Sequence, residues 1–439
     1  MTVSKARAAA LEALEKCRKD GAWSGAVIDS AIKRAGLDGR DAALSSRLIL
    51  GVLQNDKLCD FYIDSFSGGK KLEPKLRDIM RLGVYQLIFL DKIPARAAVN
   101  ESVELCAAAG LKRAAGLVNA VLRRISESKN NLPPIPNEGS AEYLSVKYSH
   151  PLWLTRRIID ERGYDFAERF FACSNEPPKL NLQINTLKVS AADYTRALDR
   201  LEIEYAVGGV DGSSIELDGC NVAALPGFEE GLFYVQDNAA RAAVEIANVK
   251  SREKVLDACA APGGKSLAAA IKMENSGEII ACDISEKKLR LIKENAQRLG
   301  IDIITAICND ARVRRADFVG AFDRVIADVP CSGIGVIRKK PEIRRKTEGE
   351  IKDLPTIQLD ILNQLSEYVK PGGTLLYSTC TVLRCENEGV VDAFLSENPE
   401  FSLVPFKVGN ISSDSGAYTF WPNTDGTDGF FAAKLLKNN

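Results

Sequence analysis

Apolar residues recur at helical spacing through the first part of the chain, in ALEALEKC, ALSSRLILGVLQ, LRDIMRLGVYQLIFL and AAGLVNAVLRRI. Glycine and proline fall at the joints between these stretches, at Gly36, Gly39, Gly68, Gly69, Pro74 and Pro94. An all-helical segment over 1–128 is predicted. The stretch SESKNNLPPIPNEGS carries no periodicity and reads as a linker, taken as 129–140. Over 141–225 a small α+β segment is expected: helices at 152–161 and 165–173, a strand in LNLQINTL, a helix near Ala191–Leu201, and short strands near 204–207 and 214–217. From 226 to 439 short apolar strands alternate with helices, in KVLDACA, SLAAAIKM, EIIACDI, KKLRLIKENAQRLG, IITAICND, DRVIADVP, QLDILNQLSEYV, TLLYSTC and FFAAKLLK. That alternation implies a largely parallel sheet covered on both faces.

Composition narrows the class without changing the fold. Hydrophobic residues make up 46% of the 439 and charged residues 27%, a globular balance. No apolar run is long enough to span a bilayer and the first residues lack a signal peptide, so a cytoplasmic protein with no membrane contact is expected. Eleven cysteines without a leader point to a reducing compartment. No C-x-x-C pair occurs and His150 is the sole histidine, so no metal is expected. His150, in SHPLW, suits a packing or turn role.

Ligands of open α/β sheets bind at the carboxyl ends of the strands, and five such ends here carry polar or reactive residues. DACAAPGGK (257–265) follows the first; Asp283 ends the second, Asp310 the third, DVPC (328–331) follows the fourth, and Cys380 ends the fifth. Gly263 and Gly264 allow close approach of backbone to ligand, but the loop is neither a dinucleotide fingerprint nor a phosphate loop. Asp283 suits the hydroxyls of a ribose and Asp310 an adenine amino group. Each aspartate alone is as well explained as a turn former or helix cap; together they favour a nucleoside site. Cytosine chemistry accounts for the thiols. Its C5 becomes nucleophilic only after a thiolate adds at C6, and Asp328 can accept from cytosine N4 or, protonated, donate to N3. Either Cys331 or Cys380 could supply the thiolate; a lone cysteine is more often core.

The motifs DACAAPGGKS, IADVPCSGIG and YSTCTVLRCENE resemble those of the RNA cytosine-C5 methyltransferases of the NSUN and RsmB/Sun group. The resemblance extends along the chain: LRLGVYQLIFLDKIPARAAVNESVEL and AGLVNAVLRRI are similar to a NusB-like RNA-binding domain, which is fused to the enzyme in the branch that methylates 16S rRNA. It implies an all-α NusB-like domain, a small α+β middle domain and a Rossmann-like α/β methyltransferase domain, with S-adenosylmethionine as methyl donor. It further implies that Cys259, Ala260, Ala261, Pro262, Gly263, Gly264 and Lys265 line the donor site with Asp283 and Asp310, and that Asp328 lies by the methionine moiety and the target base. Cys380 would be the nucleophile, and Cys331 would assist release of the methylated base. The chain departs from the family's pattern at Gln183, where arginine is usual, and at Arg241, where glutamine is common. The basic run Arg338, Lys339, Lys340, Arg344, Arg345 and Lys346, ordinarily a solvated face, follows directly on the DVPC loop and is expected to grip RNA phosphates beside a flipped cytosine. The expected partner is 16S rRNA or a small-subunit assembly intermediate, met by a monomer. Another rRNA or tRNA site, or a non-catalytic RNA-binding factor, are the competing readings.

Overall fold

The computed structural model describes residues 3–20 and 24–439. Two compact units emerge, one from 1–176 with 337–349, the other from 177–336 with 350–439. The first is helical: α1 (Lys5–Asp20), α2 (Ser24–Ala35), α3 (Gly39–Gln54), α4 (Asp56–Ser67), α5 (Pro74–Phe89), α6 (Ala95–Ala108), α7 (Ala115–Glu127), α8 (Ala141–Lys147), α9 (Leu152–Arg162) and α10 (Tyr164–Cys173). Pro74 opens α5, where its missing N–H costs nothing, and Ser140 caps α8 by accepting from the Tyr143 amide. The apolar stripes read from the sequence meet in one core containing Leu48, Val52, Ile79, Val84, Val118 and Leu122. The irregular 129–140 stretch joins α7 to α8 within this unit.

The second unit opens with a four-stranded antiparallel sheet of β1 (Leu180–Ile184), β2 (Ala206–Gly208), β3 (Ser214–Leu217) and β4 (Phe233–Val235), in the order β2-β3-β1-β4, with α11 (Ala191–Arg200) packed on it through Tyr194 and Leu198. Gln183 is buried there and donates to Gln236 O and Asn238 Oδ1, both at 2.9 Å. After α12 (Asn238–Ala247), β5 (Lys254–Asp257) leads into α13 (Gly264–Lys272), β6 (Glu278–Asp283), α14 (Glu286–Leu299), β7 (Ile304–Cys308) and β8 (Phe322–Asp328). Then come the short α15 (Glu348–Ile351), α16 (Leu354–Ser366), β9 (Val369–Thr379), α17 (Glu388–Glu397), β10 (Phe401–Leu403), the hairpin β11 (Phe406–Val408) and β12 (Ile411–Ser413), β13 (Ala417–Phe420) and β14 (Phe430–Lys437). Arg241, on α12, is buried and pairs with Asp211 and Glu245.

The large sheet runs β10-β14-β9-β8-β5-β6-β7. Its strands from β9 to β7 are parallel, while β14 pairs antiparallel with β9, and β10 and β13 pair antiparallel with β14. The expected parallel sheet is thus extended by an antiparallel margin. Its central strands are apolar on both faces, as in Val255 and Leu256, or Val325, Ile326 and Ala327, because helices cover both sides. Burying one such Val or Leu side chain contributes about 1.5–3 kcal/mol. The chain steps from β5 outward through β6 and β7, then returns to β8 and β9 on the other side of β5. That reversal opens a crevice above the carboxyl ends of β5 and β8.

Candidate active site

The parallel pairing of β8 with β9 sets Asp328 opposite Ser378. Cys331, three residues beyond Asp328, and Cys380, one beyond the end of β9, are therefore neighbours. Their sulfurs stand 3.0 Å apart. The two loops are stitched together: Gly335 N donates to Cys380 O at 3.0 Å and Gly429 N to Gly335 O at 2.9 Å. A Cβ on Gly335 would lie 1.8 Å from Gly429 O, so no other residue fits at that crossing.

Asp328 is held from two sides. Ser378 Oγ donates to its Oδ1 at 3.0 Å and Lys265 Nζ to its Oδ2 at 2.6 Å. Lys265 lies in the first turn of α13, buried, with Nζ 5.0 Å from the centre of the Phe430 ring. Burial opposes its charge, but Asp328, Asp257 and Cys380 outweigh that and hold its pKa above the ordinary value. Negative neighbours act on Cys331 as well, and there they favour the uncharged form. Its hydrogen bond with Cys380, then burial, then the Cys380, Glu386 and Asp328 charges push its thiol well up.

Beside this pair the β5–α13 loop turns sharply. Gly263 adopts φ +109, a conformation that favours glycine, and a Cβ there would meet Ile292 at 3.1 Å. Asp283 receives the Ala261 amide at 3.2 Å and the Ser285 amide at 2.9 Å, so it shapes both its own turn and the glycine loop. Asp310 receives the Arg312 guanidinium at 2.8 Å and the Arg312 amide at 3.0 Å, which holds its carboxyl below the usual range. A cleft of about 330 Å³ opens between these strand ends, lined by Cys259, Asp283 and Asp310 on its polar side and by Ile284, Ile357 and Ile361 on its apolar side. Ile284 is 69% exposed, an apolar side chain left uncovered at the cleft. A flat heterocycle between aliphatic side chains and a ribose on a carboxylate match this lining, so the residues present fit the nucleoside end of S-adenosylmethionine.

The expected residues divide by place. Cys259–Lys265, Asp283, Asp310, Asp328, Cys331 and Cys380 all lie at the carboxyl edge of the large sheet. The basic run does not share that unit, since 337–349 pack with the helices. Arg344 is buried and donates to Gln54 O and Tyr148 O at 2.8 Å, Ser174 O at 3.0 Å and Asn175 Oδ1 at 2.6 Å. Its guanidinium is used within the helical unit rather than offered to phosphate, and Arg338 is buried as well. Lys340 and Arg345 are exposed, and Lys339 and Lys346 half-buried. His150 is buried with its ring 4.5 Å from that of Phe171.

Sequence reasoning missed the residues that tie the loops. Gln358 Nε2 donates to Pro330 O at 2.9 Å and to Glu386 Oε2 at 3.0 Å, and Ser332 N donates to Glu386 Oε2 at 2.8 Å. It also missed the Ile357 and Ile361 wall of the cleft. The run CENE after Cys380 was the available signal for Glu386, since consecutive polar residues followed a buried strand.

Three comparisons bear on this geometry. Residues 244–436 match the model of the 16S rRNA methyltransferase RsmB/F family, residues 4–127 that of the NusB family, and residues 150–223 that of the RsmF/B-like ferredoxin-like domain. A Bacillus subtilis protein named probable ribosomal RNA small subunit methyltransferase B is 37% identical, covering 100% of both chains. Ribosomal RNA small subunit methyltransferase B of Erwinia tasmaniensis is 31% identical over 98% of both. Among solved structures, that of PH0851 superposes with a TM-score of 0.81 at 28% identity, covering 99% of each chain. A methyltransferase homologue from Pyrococcus horikoshii gives 0.59 at 27% identity, over 69% of this chain and 100% of its own.

Proposed function

Because the chain belongs to the RsmB/F family of 16S rRNA methyltransferases, we propose that it methylates C5 of a cytosine in 16S rRNA, with Cys380 as nucleophile. The observation that carries this reading is the pair of thiols 3.0 Å apart beside a lysine-held aspartate. One cysteine would suffice for most nucleophilic chemistry. Two in contact suit a reaction in which a C–S bond is made and later broken.

The roles follow from the charges around each thiol. An ammonium beside a cysteine favours its thiolate, and Lys265 interacts with Cys380, whereas Cys331 faces carboxylates. In this reading the Cys380 thiolate adds to C6 of cytosine, breaking the C5=C6 double bond and leaving C5 electron-rich. S-Adenosylmethionine, when bound, supplies an electrophilic methyl group for C5. Cys259–Lys265, Asp283 and Asp310 would hold it, the last two at the ribose and adenine. Asp328 orients the base, its carboxylate accepting from the cytosine amino group while Lys265 and Ser378 fix its direction. Loss of the C5 proton to water then restores the double bond and expels Cys380 as thiolate, a step that Cys331 assists by donating its S–H to the departing sulfur 3.0 Å away. The NusB-like match supports an RNA contact by the helical part, and the matched ranges support a functional division into 1–128, 141–225 and 226–439.

The roles of the two thiols separate on a denaturing gel run with labelled rRNA and S-adenosylmethionine. Cys380→Ala is expected to give neither product nor adduct. Cys331→Ala is expected to accumulate a protein–RNA adduct. The opposite pattern would exchange the assignments.

A further inference from the structure

Glu386 lies in a 3-10 turn after Cys380 and is fully buried. Its Oε2 accepts from Ser332 N and from Gln358 Nε2, and Gln358 Nε2 also donates to Pro330 O. The residues on both sides of Cys331 are thereby attached to one carboxylate. The Glu386 backbone is fixed in turn, its carbonyl accepting from Tyr377 Oη at 2.6 Å. Next to it, Asn387 accepts from Thr379 Oγ1 at 2.6 Å and donates to Thr381 O at 3.1 Å, which holds the segment carrying Cys380.

Both hydrogen bonds to the Glu386 side chain use one oxygen, Oε2. Among the described residues, Glu386 Oε1 is buried with no hydrogen-bond partner. A buried carboxylate with an unsatisfied oxygen is costly, and glutamine could accept from the same two donors without a charge. Packing therefore explains the hydrogen bonds but not why the acceptor is a carboxylate. The carboxylate acts on Cys331, whose surroundings also include Cys380, Asp328 and Tyr377, while Lys265 pairs with Asp328 and interacts with Cys380.

We propose that Glu386 is a positioning residue whose buried carboxylate clamps the loop on both sides of Cys331, so that attack on cytosine is reserved for Cys380. This rests on the reading of Cys380 as nucleophile. A carboxylate close to a thiol raises the pH at which the thiolate forms. Without that charge both thiols would compete for C6, and attack by Cys331 would leave none to assist release.

Site-resolved alkylation tests this without RNA or methyl donor, so a failure of the methylation reading leaves the experiment intact. The reduced full-length protein is treated with iodoacetamide across pH, and each cysteine is followed by peptide mass. In the wild type, Cys331 is expected to react only at higher pH than Cys380; the reverse order overturns the proposal whether or not a variant folds. In Glu386→Gln the Cys331 profile is expected to move down by about one pH unit, with Cys380 moving less, and Glu386→Asp is expected to restore it toward the wild type. A Glu386→Gln protein of unchanged melting temperature and unchanged Cys331 profile would overturn the proposal.

Discussion

Asp257, at the end of β5, illustrates what a single buried group does to this site. It is fully buried, Ser266 Oγ donates to its Oδ2 at 2.6 Å, and burial pushes its carboxyl up to about 7, aided by Asp328 and Asp283 and opposed by Ser266 and Lys265. An unfolded aspartate titrates near about 4. Between those two values the folded chain binds the extra proton, so this group's contribution to stability falls as pH rises from about 4 to about 7. Asparagine keeps an acceptor for Ser266 and never ionises. The stability of Asp257→Asn relative to wild type should therefore grow by roughly a few kcal/mol from pH 4 to pH 8, as read by urea unfolding. A difference that stays flat over that range would mean that Asp257 ionises freely in the fold.

At the scale of elements, Arg344 joins pieces far apart in sequence: the end of α3, the loop before α9 and the end of α10. Burial pushes its guanidinium down to about 9, with Asp56 opposing. Arg344→Met removes the donor from several buried oxygens at once and should cost roughly 3 kcal/mol or more, measured by denaturant unfolding. A loss below about 0.5 kcal/mol would place it among ordinary surface positions. This residue also marks where the sequence misleads. A cluster of arginines and lysines looks alike whether it faces water or carbonyl groups, because the acceptors that bury Arg344 lie some 170 to 290 positions away. The apolar stripes of α3, α5 and α7 and the strand ends at Asp283, Asp328 and Cys380 were legible, since local periodicity and a fixed topological rule determine them. The antiparallel margin of β10, β13 and β14 was not, because strand direction depends on long-range pairing rather than on local pattern. Glu386 escaped notice for the same reason: its partners are Ser332 and Gln358, brought to it by the sheet.

For the whole molecule, net charge is −1, so an RNA contact depends on local clusters rather than on overall attraction. Lys340 and Arg345 remain exposed within the basic run. Reversing both to glutamate should weaken RNA binding and flatten the dependence of log Kd on log salt by about one to two units, with the melting temperature unchanged. An unaltered salt slope would remove the run from the RNA-binding surface. Methylation of a 16S rRNA cytosine through Cys380 can be read by bisulfite sequencing of rRNA and tRNA from cells with and without the gene. A single cytosine of 16S rRNA that resists conversion in the wild type should become convertible when the gene is deleted, and should remain convertible when Cys380→Ala is supplied in its place. If no rRNA cytosine changes, or if Cys380→Ala restores protection in full, the protein does not methylate an rRNA cytosine through Cys380.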